Sequence, residues 1–377
     1  MKTIIKEVTT KKQLKKWVDF PNVLYKNVEA YVPFLMVDEI GTFTKSQNPA
    51  YDFCETKLFL AYQGNKIVGR IAGLINHAAN KKWEQSRIRF TRFDFIDDYD
   101  VSRALYDEVA KWGRENGLTE MTGPIGFTDM DHEGMLVEGF DELNMSITFY
   151  NFPYYLKHME KLGFEKDVDW VEFKIEVPKE PDEKISRLND FLIKRSNYKV
   201  VKYTNQKDLV KDAYEAFKVI DEAFSVLHGT VPLTDRVIDQ AIKDNVSMMN
   251  LKYILSVKDE SDKIIGFAVL VPSIAKALKK SNGRLLPFGI FRLLKAVKCK
   301  NDTLEMYFIA VSPEHQKKGV PVIVMNEMMK VLIDNGVKYC ETGPELEYNK
   351  NVQSMWKGFS GTRNHKRRRC YIKKIVD

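Results

Sequence analysis

The sequence predicts a mixed α/β fold in which one structural unit occurs twice. Three observations carry that expectation: the length, an ordered series of internal matches, and the alternation of strand-period with helix-period segments. At 377 residues the chain exceeds what a single hydrophobic core usually serves, so two domains of ordinary size are expected.

Compared with itself at an offset near 197, the chain sets Lys66-Ile67-Val68-Gly69 against Lys263-Ile264-Ile265-Gly266. Both quartets stand between apolar, β-rich residues. FLAYQGNKIVGRIAGLI and YILSVKDESDKIIGFAVLV therefore read as hairpins, the second with a longer polar turn. At an offset near 219 the helix-period segment from Val101 to Gly117 meets the segment from Val320 to Gly336, each ending in Asn-Gly, a usual helix stop. A short strand follows each helix and closes in Thr-Gly-Pro, at Thr122 to Pro124 and Thr342 to Pro344. The order in both halves is hairpin, strand, amphipathic helix, strand, helix, strand. The stretch PKEPDEK and the polar helical segment after it make a junction. A boundary near residue 180 is expected, with domains of 1–180 and 181–377.

Composition excludes several classes. With 44% hydrophobic and 12% aromatic residues the chain is globular rather than disordered. Cys54, Cys299, Cys340 and Cys370 are widely spaced, which gives neither a disulfide framework nor a zinc ribbon and suits a reducing, cytoplasmic setting. The start, MKTIIKEVTTKKQ, is charged where a secretory apolar core would stand, and no window reaches the ~18–20 apolar residues of a bilayer span. The net charge of +7 is concentrated at 276–300 and 363–374. Nucleic acid, anionic lipid, a polyphosphate cofactor and a merely solvated face are all compatible with such clusters. Nucleic acid is not expected, because the runs lack interleaved exposed aromatics and a recognisable reading helix.

The chemistry is written in the second half. TLEMYFIAV (Thr303 to Val311) reads as a strand, Ser312 to Lys318 as a polar loop, and the residues from Val320 as a helix. A glycine in such a loop admits close approach of a ligand, and consecutive amides opening a helix form a nest for phosphate oxygens. Pro321 lacks an N–H but suits a first helical turn.

Val311-x-Pro313-x-x-Gln316-x-x-Gly319-x-Pro321 resembles the acyl-CoA signature V-x-P-x-x-[QR]-x-x-G-x-[GA] of the GNAT superfamily of N-acyltransferases. Only the last position departs. The resemblance implies two tandem GNAT-like domains and an enzyme that transfers an acyl group from acetyl-CoA or a longer acyl-CoA to a primary amine. It places the backbone of Ile309, Ala310 and Val311 along the pantetheine arm and polarising the thioester carbonyl. It places Gln316, Lys317, Lys318, Gly319, Val320 and Pro321 around the pyrophosphate, the proline putting one amide contact in doubt. Glu305 has the spacing of the glutamate base in histone-acetyltransferase-like members, and is equally compatible with a strand glutamate facing solvent. The tyrosine acid of many members falls near Trp356, leaving Tyr348 as the nearby candidate. Asn349 resembles the Asn that opens the family's last helix, and a plain helix N-cap explains it equally well.

In the first half FDFIDDYD (Phe93 to Asp100) stands where the phosphate loop belongs. It is acidic and lacks glycine, so it would cap a helix and repel a diphosphate. A degenerate GNAT-like copy that has lost CoA binding is expected. Asp129-Met130-Asp131-His132-Glu133 reads as a solvated loop rather than a metal site, and no metal is expected.

Between Val271 and Thr303 stands an insert, residues 272–302. From Lys276 to Lys300 it has eight Lys or Arg and no acid, among Leu285, Leu286, Phe288, Ile290, Phe291, Leu293, Leu294 and Val297. That mixture suits an interfacial helix and a peripheral contact with the inner face of a membrane, and suits equally an insert packed against the other domain or a second copy. LYKNVEAYVPFL, NGRLLPFG, the YNFPYY run and ELEYNKNVQSMW also resemble bacterial ceramide-synthase-type N-acyltransferases. That resemblance implies a sphingoid base or other lipid amine as an alternative acceptor to a small polar amine. A non-catalytic CoA- or lipid-binding module is a further alternative. Oligomeric state is left open.

Overall fold

The structure, a computed structural model, describes residues 1–377 except Ser247, Met248, Lys357, Gly358, Ser360 and Asp377. The first half runs β1 (Thr3–Glu7), α1 (Lys11–Leu24), α2 (Met36–Thr42), β2 (Cys54–Gln63), β3 (Lys66–Asn76), α3 (His77–Lys82), β4 (Arg87–Phe95), α4 (Tyr99–Glu115), β5 (Glu120–Gly123), β6 (Met135–Glu138), α5 (Tyr154–Lys161) and β7 (Glu165–Glu176). After α6 (Glu183–Ser196) the second half runs β8 (Lys199–Lys202), α7 (Gln206–Phe224), α8 (Asp235–Asn245), β9 (Ile254–Lys258), β10 (Ile264–Pro272), α9 (Ala275–Ser281), α10 (Gly289–Lys298), β11 (Thr303–Val311), α11 (Val320–Asp334), β12 (Tyr339–Thr342), β13 (Glu345–Leu346), α12 (Lys350–Trp356) and β14 (Arg363–Lys374).

The repeated glycines of the two hairpins have a packing role. A Cβ on Gly69 would stand 2.7 Å from Leu105 of α4, and one on Gly266 would stand 2.9 Å from Val320 of α11. Each glycine lets its helix close onto the sheet, where the apolar stripe Val101, Leu105 and Val109 of α4, or Val320, Ile323 and Val324 of α11, becomes fully buried.

The strands join one mixed sheet in the order β1-β2-β3-β4-β5-β14-β7-β12-β11-β10-β9-β8, with β6 beside β14 and β13 beside β7 off that path. The order is nearly palindromic, and its centre holds an exchange. β14, from the second half, pairs with β5, while β7, from the first, pairs with β12. β7 and β14 pair antiparallel with one another between them.

In both halves the fourth strand slips register against the third. Opposite Val269 and Leu270 stand Phe308 and Met306, so Tyr307 is the extra residue of a β-bulge. The corresponding slip in the first half contains Arg92, with φ of 50°. Parallel pairing of β11 with β12 covers only Thr303 to Met306, after which the two strands part.

The insert forms a helical hairpin whose members behave differently. α9 packs on the first half, Ala275 and Leu278 burying against Val32, and Lys279 Nζ donates to the carbonyls of Val28, Glu29 and Tyr31. α10 leaves a row of large apolar side chains in solvent.

Candidate functional site

Glu305 lies on β11, only 2% exposed. It does not face solvent. Ser273 Oγ donates to one carboxylate oxygen at 2.6 Å and Ser146 Oγ to the other at 3.3 Å. Burial pushes this carboxyl up to about 7; Glu341, its register neighbour on β12, raises it further, while Ser273, Lys366 and Ser146 pull it back. Lys366 comes from β14 and is itself fully buried, 3.5 Å from Glu341 and 3.5 Å from Glu172.

Ser146 belongs to the first half, yet it touches two residues of β11: Glu305 and the bulged Tyr307, whose hydroxyl is 3.0 Å from Ser146 Oγ. Tyr307 also lines a cavity of about 370 Å³, within the size range of small-molecule sites. Phe217 and Ile220 of α7, with Phe267 and Phe308 of the sheet, give it apolar walls, and Asp129 and Glu133 of the first half close it. The carboxylate Glu305 therefore stands one layer behind the cavity, connected to it through Ser146 and Tyr307.

Where β11 and β12 part, Ile309 lines the cavity, and among the described residues no strand pairs with the β12-side edge of β11 beyond Met306. Gln316 Nε2 reaches back to the carbonyl of Val311 at 3.2 Å. Gly319 has φ of 84° and precedes α11, with Val320 and Pro321 opening the helix. Both its left-handed backbone and its surroundings favour glycine, since a Cβ would come within 2.7 Å of Leu192 on α6. Gln316, Lys317 and Lys318 are exposed. The cationic side chains of Lys317 and Lys318 thus stand beside a helix N-terminus, where the backbone dipole also favours negative charge. Val311 and Val320 turn their side chains into the core beneath α11, and Ala310 into the cluster under α7.

On the far wall Asn349 lines the cavity and accepts from the Val352 amide at 3.5 Å. Tyr348 is 54% exposed. Trp356 is fully buried, and its Nε1 donates to Glu345 at 2.6 Å. Burial pushes the Glu345 carboxyl up to about 8 despite hydrogen bonds from Trp356 and Thr342. Its other oxygen, Oε2, is buried without a partner among the described residues, on a side chain that lines the cavity. Glu345, Ser146, Ser273 and Tyr307 were not singled out from the sequence. For Tyr307 the place beside Glu305 on one strand was the available signal; for Ser146, 159 residues away, there was none.

The reading of Asp129 to Glu133 as a solvated loop is corrected. Asp131 and Glu39 grip the buried Arg92 guanidinium at 2.7 and 2.9 Å, and Arg92 holds the Asp131 carboxyl well below its ordinary value. Burial raises Asp129, and raises Glu133 well above its usual range with help from Asp129. The bulge that turns Arg92 inward creates this anchor. Asp167, His228 and Cys370 also approach within 4.8 Å of one another, with Asp167 already engaged by Arg87 and Thr122.

The first half differs at the corresponding place. Its fourth strand joins α4 through Ile96–Asp98, where the second half has Ser312–Gly319. Its strand edge is filled as well: Tyr155 Oη accepts from the Phe95 amide at 2.9 Å, and Tyr154 Oη donates to the Phe95 carbonyl. The acidic residues serve the fold, Asp94 bonding Arg70 at 2.7 Å, Asp97 bonding His158 at 2.9 Å, and Asp98 capping α4.

A strand that splays from its neighbour, a glycine loop opening the next helix, and a buried carboxylate between them define an acyltransferase fold of the GNAT class. Residues 216–359 match the Acetyltransferase (GNAT) family, and the chain as a whole has the fold of tandem GNAT proteins. It is 24% identical over 377 residues to the Bacterial ceramide synthase of Caulobacter vibrioides (strain NA1000 / CB15N), covering 98% of this chain and 96% of that protein. It is 23% identical over 380 residues to Protein YghO of Escherichia coli (strain K12), covering 99% and 95%. The fold is shared with a tandem GNAT protein from the clavulanic acid biosynthesis pathway (without AcCoA), at a TM-score of 0.57 and 11% identity over 100% of this chain and 99% of that one. It is likewise shared with a GCN5-related glucosamine N-acetyltransferase region of a fungal multi-domain GH3 β-N-acetylglucosaminidase, at 0.57 and 12% over 99% and 38%.

Proposed function

We propose that the second domain, residues 181–377, transfers the acyl group of an acyl-CoA to a primary amine, and that the first, residues 1–180, is a copy without CoA binding that walls the acceptor cavity. The observation that carries this reading is Glu305, a carboxylate held near neutrality by burial and bracketed by two hydroxyls beside the open edge of β11.

On this reading the backbone of Ile309 to Val311 takes the pantetheine arm, and the loop from Gln316 to Pro321 takes the diphosphate. The amine nitrogen attacks the thioester carbonyl, and the proton it sheds passes to Tyr307 Oη. Tyr307 gives its own proton to Ser146 Oγ, and Ser146 gives its proton to Glu305. Each O–H bond broke as the next formed, so both hydroxyls are restored. The C–S bond breaks, and Glu345, protonated at neutral pH, supplies the proton of the leaving thiolate; it takes the place of Tyr348, which solvent surrounds. Asn349 and Trp356 position the wall that carries Glu345.

The cavity favours a second, sharper reading of the acceptor. Apolar walls with Asp129, Glu133 and Glu345 among the lining suit an amine that carries a hydrocarbon chain, and the ceramide-synthase relative supports the same class. On that reading the acceptor is drawn from a bilayer and residues 276–300 make the peripheral contact, at its cytoplasmic face. Among the described residues no helix is long and apolar enough to cross a membrane.

The test is titration calorimetry of the whole chain with acetyl-CoA and palmitoyl-CoA, beside K317E/K318E, followed by thiol release in the presence of a small amine or a long-chain amine. Binding that the double variant weakens, with thiol release, supports the enzyme; the better pair gives acyl length and acceptor class. Binding without thiol release for any amine leaves a CoA-binding module.

A further inference from the structure

The two helices of the insert have the same composition and opposite fates. α9 is consumed by the contact with the first half, down to its Lys279, whose ammonium satisfies three backbone carbonyls. In α10 the face formed by Gly289, Leu293 and Val297 turns to the protein: Leu293 packs with the Val32 cluster, and the Val297 carbonyl accepts from Asn250 at 3.0 Å. The opposite face is largely open to solvent. Leu286 is 78% exposed, Phe288 63%, Phe291 67%, Ile290 40% and Leu294 39%.

A soluble surface seldom gathers five large apolar side chains within nine residues. Around them stand Lys280, Arg292, Lys295 and Lys298, exposed and, among the described residues, paired with no carboxylate. Arg284, in the turn between the two helices, pairs with Asp19 of α1 at 2.9 Å, and that pair leaves the charges of these four residues unneutralised. The spacing of Phe288, Phe291, Leu294, Lys295 and Lys298 places rings and ammonium groups side by side along one stripe. Rings and long cationic side chains sharing one exposed face suit a helix lying at the level of lipid headgroups, the rings entering the acyl boundary and the ammonium groups reaching up to the phosphates.

We infer that the outer face of α10, with the Leu286–Phe288 turn before it, is a docking surface for an anionic lipid bilayer. A second copy of this chain would bring the same unpaired cations against themselves, so like charges oppose that occupant. The surface is linked to the cavity wall by one hydrogen bond: the Val297 carbonyl of α10 accepts from Asn250, next to Met249, which lines the cavity. The inference does not depend on which amine is acylated, nor on turnover.

The experiment is co-sedimentation of the full chain with vesicles of phosphatidylcholine alone and of phosphatidylcholine with phosphatidylglycerol, at low and moderate salt. Partition into the anionic vesicles is expected, falling with salt. K295Q/K298Q should lower it by roughly fivefold per charge removed, and F288S/F291S should lower it at least as far. Because these side chains are exposed, thermal unfolding of the variants should match the parent, which separates lost docking from lost fold. Equal partition into both vesicle types, no partition into either, or variants that bind as the parent does would each overturn the proposal. So would a dimer in analytical ultracentrifugation that F288S/F291S dissolves without any vesicle binding by the parent.

Discussion

Replacing Glu305 with Gln separates the two consequences of burying a carboxylate. The folded chain holds this group at about 7 against an ordinary value of 4.5, so the folded state binds the proton more tightly than the unfolded one. Stability is therefore full below about pH 4.5 and falls as pH rises through about 7. The difference amounts to about 3 kcal/mol above that window, from 1.36 kcal/mol per pKa unit. Gln keeps an acceptor for Ser273 and cannot ionise. Urea unfolding should show E305Q more stable than the parent by about 1–3 kcal/mol near pH 8.5, with the gain vanishing near pH 4.5. Activity should move the other way. Parent kcat/KM should rise with pH through a midpoint near 7, and E305Q should lose roughly 10²- to 10⁴-fold and the midpoint with it. A variant that is both inactive and less stable at pH 8.5 would show that Glu305 holds the sheet together, and the general-base reasoning would be refuted.

The relay gives a second expectation: S146A should lower kcat by roughly tenfold or more with little change in the KM for acyl-CoA, and S146T should restore it. If S146A instead raises KM alone, Ser146 contributes binding rather than proton transfer. Gly319→Ala places a side chain at φ 84° and against Leu192, so urea unfolding should show a loss of about 1–3 kcal/mol, and calorimetry a weaker acyl-CoA affinity; an unchanged affinity would remove the diphosphate from this loop.

Much of the architecture could be read from the residues because its signals are local. The KIVG and KIIG quartets mark hairpins, and their glycines sit where α4 and α11 press closest. The stretch from Val311 to Pro321 carries its glycine, its lysines and its helix start within one window. What stayed hidden depends on distant partners. β5 and β12 have only four residues each, and nothing in them says whether β7 or β14 lies alongside. The environment of Asp129 to Glu133 turns on Arg92, which a bulge redirects, and alternation alone would send that side chain elsewhere. The insert reads as one basic, apolar segment because α9 and α10 share a composition; only the presence of Val32 opposite α9 tells them apart. Glu305 could be picked by spacing, but Ser146 had no motif to announce it.

The exchange of β7 and β14 bears on how this protein is made. As the chain leaves the ribosome, β5 waits with an open edge until residues 363–374 have been synthesised, because the strand that covers it comes from the far end. The first half cannot finish folding when its own sequence is complete, and truncation within β14 should damage both halves at once. Long-range pairing of this kind is slow to form and exposed to misassembly between neighbouring chains. Two copies that each contain the other's last strand are inherited, folded and lost together, which ties the copy with the short Ile96–Asp98 connection to the one with the glycine loop.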